Sequence, residues 1–150
     1  MRLAVTTPLA IVVDTADVVH LRAEDETGAF GILGRHADFL TALVPSVVSW
    51  RDARGGEHHV AVRGGMLQVR GGETIAIATR EAVADDDLHR LESEVLVRFR
   101  HQLADELAAR ADANRLYLAA IRQISRFLRP ARSPAGPGSR GLNDSEWLEQ

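Results

Sequence analysis

The side chains able to do chemistry are few and scattered. Six histidines and no cysteine are spread over 150 residues, and every basic side chain other than histidine is arginine. His58 and His59 are adjacent in a strand-like run, which points them to opposite faces and away from a shared metal. His89 and His101 lack the four-residue spacing of a helical metal pair. His36 and Asp38, two apart in an extended segment, share a face and are the one acid–base pairing on offer, with no nucleophile beside them. No serine stands in a nucleophile elbow. Thiol chemistry has no cysteine, and a phosphate-binding loop would lack its lysine. Surface histidines account for the remainder, so these residues predict neither catalysis nor a metal site.

Interest moves instead to the stretch from Thr27 to Leu43. Gly28 and Gly31 bracket Ala29 and Phe30, Ile32 and Leu33 form an apolar pair, and Gly34-Arg35-His36-Ala37-Asp38 leads back to apolar residues at Phe39. Spacing alone reads as a plain glycine-containing turn between strands. The apolar pair adds an anchor in a core, so the segment is expected to be an ordered excursion that turns Gly34, Arg35, His36 and Asp38 outward. Rigid loops on sheets commonly carry recognition.

The elements that would hold this stretch are strands. Leu3 and Val5 alternate with polar neighbours, and Ile11–Val13 and Val18–Ala23 are β-branched runs separated by Asp14-Thr15-Ala16-Asp17. Val47–Arg51, His59–Arg63, Leu67–Val69 and Ile75–Ile77 follow, punctuated by Gly55-Gly56, Gly64-Gly65 and Gly71-Gly72. Glycine pairs between period-two runs are hairpin chemistry, and many short strands predict an antiparallel β-sandwich. Its expected span is 1–83.

From Glu81 the character changes. No glycine or proline occurs between Val83 and Arg129. Asp85, Asp86 and Asp87 supply a candidate N-cap and acidic first-turn charge. Leu88, Leu91, Val95, Phe99, Leu103 and Leu107 form one helical stripe, and Leu116, Tyr117, Ile121, Ile124, Phe127 and Leu128 form a second. Asp112 and Asn114 mark the weakest helical point. Either one long helix or an α-helical hairpin over 84–129 fits, and the hairpin is favoured because its stripes cover each other. Nine acids and four arginines lie between Glu81 and Asp112, against six arginines and no acid from Ala113 to Asn143. Antiparallel packing would use that split, and so would a basic helix seeking another acidic surface. The Pro/Gly/Ser-rich tract over 130–150 reads as a disordered tail.

Composition bounds the class. Hydrophobic residues make up 45% and charged residues 26%, with a formal net charge of −3, which is ordinary globular composition and disfavours nucleic-acid binding. No apolar run reaches the ~20 residues of a membrane span, and the N-terminus lacks a signal peptide's apolar core, so a cytoplasmic protein is expected. Any membrane association would run through partners.

The order of features resembles the epsilon subunit of F-type ATP synthases. The resemblance rests on Gly28-Ala29-Phe30-Gly31-Ile32-Leu33, His36-Ala37, Leu40-Thr41 and Gly64-Gly65-Met66-Leu67-Gln68-Val69, and it extends from Leu3 to Pro130. That family's loop usually reads Gly-x-x-Gly-Ile-(Leu/Tyr)-Pro-Gly-His-Ala-Pro-Leu-Leu-Thr. Here Gly34-Arg35 stands for its Pro-Gly, and Asp38-Phe39 for its Pro-Leu. His-Ala-Asp-Phe-Leu-Thr, Ser49-Trp50-Arg51, Ala78–Val83 and Ile121–Pro130 are similar to the alternate N-type branch. The resemblance implies a non-catalytic central-stalk subunit on the cytoplasmic face of the bacterial inner membrane, without a cofactor. Its partners would be the gamma subunit and the ring of c subunits. Gly28, Ala29, Phe30, Gly31, Ile32, Leu33, Gly34, Arg35, Asp38 and Phe39 would then form the loop facing the ring, with His36 and Thr41 toward gamma. It further implies that the C-terminal helices reach the alpha and beta subunits and restrain ATP hydrolysis. A degenerate match to the family's ATP motif, Ala111–Leu116, retains Asp112 and Arg115. The competing reading is a stand-alone β-sandwich binding module whose helices mediate self-association.

Overall fold

The computed structural model describes residues 1–128, so the expected tail over 130–150 lies outside the described residues. Eight strands come first: β1 (Arg2–Thr6), β2 (Ile11–Thr15), β3 (Val18–Asp25), β4 (Gly28–Leu33), β5 (Phe39–Asp52), β6 (Glu57–Arg70), β7 (Thr74–Ala78) and β8 (Ala82–Ala84). Helix α1 (Leu88–Arg90) follows, then a π-helical turn (Leu91–Val95) and helix α2 (Leu96–Leu128). One compact unit spans Met1–Arg110, and a second begins at Ala111.

The strands pair in the order β2-β1-β7-β6-β5-β3-β4, with β8 added to β6. Two long strands make this a sandwich. The outer half of β6, Met66–Arg70, pairs with β7, while Val60–Val62 pairs with β8. Its partner β5 changes layer in step, with Phe39–Ala42 opposite the first half and Ser46–Val48 opposite the second. Between the layers Leu3, Val5, Leu21, Ile32, Val48, Leu67, Ile75 and Ile77 are almost wholly removed from water. Those residues are the alternate members of each strand, as period two requires.

Two of the three glycine pairs turn the chain, and the third does not. Gly64-Gly65 lies inside β6, and Val47–Arg51 is part of a 14-residue β5 that runs through Pro45. The predicted separate strands are therefore halves of longer ones. The reason lies at Gly65, whose φ is +128° and where a Cβ would fall 2.2 Å from the Ala78 carbonyl oxygen. The pair lets β6 cross between layers under β7 instead of reversing it.

The helical region follows the sequence closely at its start. Asp87 caps α1, its carboxylate accepting from the Arg90 amide. Leu91 and Phe99 are fully buried against Ala61, with Val47, Val83 and Val95 around them. The π-helical turn lies between Leu91 and Phe99. Leu96 is buried as well, while Leu103 and Leu107, expected on the buried face, are exposed. Glu106 instead reaches the sheet and joins Arg63 and Arg80, and Arg63 and Arg98 also meet Glu81.

The favoured helical hairpin is not what forms. The backbone from Ala111 to Asn114 is helical, within a single α2. Asp and Asn each disfavour a helix interior by only a few tenths of a kcal/mol, and no glycine or proline assists them. Asp112 is also paired with Arg115, 3.5 Å away across one turn. In the second unit Leu116, Tyr117, Ile121, Ile124, Phe127 and Leu128 are all exposed.

Candidate interaction surface

The glycine-rich stretch is built as strand, turn and strand rather than as one excursion. Gly28–Leu33 is the edge strand β4, paired along its length with His20–Asp25 of β3. Ile32 is buried, as the apolar pair predicts, whereas Leu33 faces out. Residues 34–38 turn the chain, and Phe39 and Thr41 open β5. Phe39 packs edge-on against Phe30 at 5.6 Å and His36 at 5.8 Å, which ties both arms of the stretch together.

Asp25 fixes one end. Its Oδ1 accepts from the Thr27 amide and hydroxyl at 2.8 and 2.6 Å, and its Oδ2 accepts from the Thr41 hydroxyl at 2.9 Å. Those bonds, the Thr27 hydroxyl foremost and then Thr41, hold the Asp25 carboxyl below the usual carboxylate range. The other end is braced by the β6–β7 turn. The Arg35 amide donates to the Gly72 carbonyl at 3.0 Å, and the Gly71 amide donates to Asp38 Oδ1 at 2.7 Å. Asp38 is exposed, as expected, with one carboxylate oxygen engaged by the backbone. His36 Nδ1 lies 2.8 Å from the Ala37 carbonyl, so His36 and Asp38 have separate partners and do not form the acid–base pair their spacing allows. Asp112 and Arg115 pair with each other on the surface of α2.

A second surface was not foreseen. On the outward side of the β2-β1-β7-β6-β5 layer, one cross-strand row reads Ile11, Thr6, Ala78, Met66, Ala42, and the next reads Asp14, Ala4, Ala76, Gln68, Leu40. The solvent face of a sheet ordinarily carries polar side chains. This one carries four alanines, with Leu40 60%, Ile11 66% and Met66 46% exposed. Leu9, in the β1–β2 turn, is also exposed. The signal was present as alanines alternating with Ile75 and Ile77, but small residues identify a strand without saying that its outer face is apolar. The histidine pair behaves as strand geometry demands. His58 stacks on Trp50 and reaches Asp52 at 3.0 Å, while His59 Nδ1 lies 2.9 Å from the Ser49 hydroxyl on the other face.

The described residues thus form a β-sandwich with a braced edge and an apolar outer face, followed by a helix. Residues 1–85 match the family model described as ATP synthase, Delta/Epsilon chain, beta-sandwich domain. The chain is 40% identical over 135 residues to the ATP synthase epsilon chain 2 of Paraburkholderia xenovorans, covering 90% of this chain and 97% of that one. It is 41% identical over 130 residues to the ATP synthase epsilon chain 2 of Cereibacter sphaeroides, covering 85% and 88%. A chain in the cryo-EM structure of Euglena gracilis mitochondrial ATP synthase shares the fold with a TM-score of 0.53 and 22% identity, over 60% of this chain and 57% of that one. This chain belongs to the ATP synthase epsilon-chain family, whose members are non-catalytic accessory subunits of that complex. The epsilon chain 2 relatives agree with the N-type resemblance. No helix among the described residues is long and apolar enough to cross a membrane.

Proposed function

We propose that this chain is the central-stalk subunit that joins gamma to the membrane ring of c subunits, on the cytoplasmic face of a bacterial inner membrane. The observation that carries the reading is the apolar outer face of the sandwich. An exposed sheet face built from alanines around Leu40, Met66 and Ile11 suits close approach by another protein. In this reading gamma covers that face and reaches His36 and Thr41. The ring meets the edge from Gly28 to Phe39, where Ala29, Gly31, Leu33 and Gly34 are exposed. Met66→Arg places a charge in the centre of the gamma contact and is expected to weaken gamma binding by at least about tenfold in a calorimetric titration. Unchanged affinity would remove that face from the interface.

The helices serve as a brake on ATP hydrolysis through the alpha and beta subunits. Supporting this, residues 113–128 combine an exposed apolar stripe with Arg115, Arg122 and Arg126 and carry no acid. Such a segment suits an acidic partner surface with an apolar groove. All the side chains buried among the described residues precede Ala111, so a chain ending at Arg110 keeps its core. Motors assembled with that shortened chain are expected to hydrolyse ATP several-fold faster. An unchanged rate would refute the brake.

A further inference from the structure

The backbone conformation of Arg35 sets it apart from the other non-glycine residues of the edge. Among the described residues, Arg35 is the one non-glycine at positive φ, 66°, whereas Gly34 beside it is not left-handed. A residue with a Cβ is disfavoured there relative to glycine. The fold nonetheless accommodates it. The Arg35 amide is anchored to the Gly72 carbonyl, and a Cβ on Gly72 would come 2.6 Å from the Arg35 Cα, so a glycine is kept opposite it. The residue is exposed, and none of the ion pairs among the described residues includes it. The acid three residues on, Asp38, is held by the Gly71 amide. A conformational cost with no intramolecular return points to use of the side chain elsewhere.

We propose that Arg35 is a specificity-determining cation that pairs with a carboxylate on the protein surface facing the Gly28–Phe39 edge. This rests on the reading that the edge meets the membrane ring. A protein carboxylate is favoured over a lipid surface because anionic lipids are held by clusters of cations. Arg35 is instead a single cation, anchored beside Gly72, with Glu73 next in the chain to that glycine and Asp38 three residues on. A guanidinium suits a carboxylate in two-pronged geometry.

The test uses the full chain and the detergent-solubilised c-ring of the same organism, measuring thermal unfolding and ring affinity together. Arg35→Gly is expected to raise the unfolding midpoint by about 2–4 °C while weakening ring binding by about tenfold. Arg35→Glu is expected to weaken it further. Added salt should weaken the native chain's binding and leave that of Arg35→Gly little changed. Arg35→Gly that gains stability and binds the ring as well as the native chain overturns the pairing alone. Failure of the native chain and both variants alike to bind overturns the ring contact itself, and the pairing with it. Binding to phosphatidylglycerol vesicles that depends on Arg35, with no dependence at the ring, overturns the carboxylate assignment.

Discussion

Gly65→Ala is expected to destabilise the sandwich by about 3 kcal/mol or more, read as a large fall in the urea midpoint. The added Cβ would lie 2.2 Å from the Ala78 carbonyl oxygen and 3.0 Å from the Thr79 Cα. Both obstacles are backbone, and Ala78 is hydrogen-bonded between β6 and β1, so neither can step aside cheaply. The positive φ adds its own strain for alanine. Gly34→Ala supplies the control. Its Cβ would meet nothing within 4 Å at an ordinary φ, so the change should stay within about 0.5 kcal/mol. Equal midpoints for the two variants would show that β6 does not cross between layers at Gly65.

Phe99→Ala is the second large effect, at about 3–4 kcal/mol for a wholly buried phenylalanine. Its consequence should be local. The Phe99 ring lies in a small cluster with Leu91 and Ala61 that is separate from the main core. Removing it leaves the helix from Leu88 to Arg110 held to the sheet mainly by Leu91, Leu96 and the Arg63–Glu106–Arg80 ion pairs. Exposed or partly exposed ion pairs contribute little. Amide exchange over residues 88–110 should therefore accelerate strongly while β1, β6 and β7 keep their protection. Uniform loss of protection would mean that helix and sandwich unfold as one.

Much of this was legible in the chain because local rules and tertiary packing agree. Period-two alternation located the strands, since Leu3, Val5, Ile75 and Ile77 are buried as their spacing requires. The Asp85–Asp87 cluster located the helix start, which Asp87 caps. The misreadings fall where a long-range choice overrode a local signal. A glycine pair permits reversal or close approach, and at Gly64-Gly65 the second use is visible only once β7 is seen against β6. A helix stripe does not say how far along the helix its cover extends: Phe99 is buried, while Leu103 and Leu107, four and eight residues further on the same stripe, are exposed. Weak helix formers at Asp112 and Asn114 suggested a fold-back, yet a turn needs something stronger than low propensity. In the loop, the residue types marked the stretch as important. The braces from Asp25 to Thr41 and from Gly71 to Asp38 link positions 16 and 33 apart, which no local pattern encodes.

The most direct test of the central claim is light scattering on a size-exclusion column, with this chain mixed with the gamma subunit of the same genome. The account predicts a one-to-one complex, weakened when His36 and Thr41 are replaced by alanine. Two folded proteins that elute apart would contradict it and favour a stand-alone binding module.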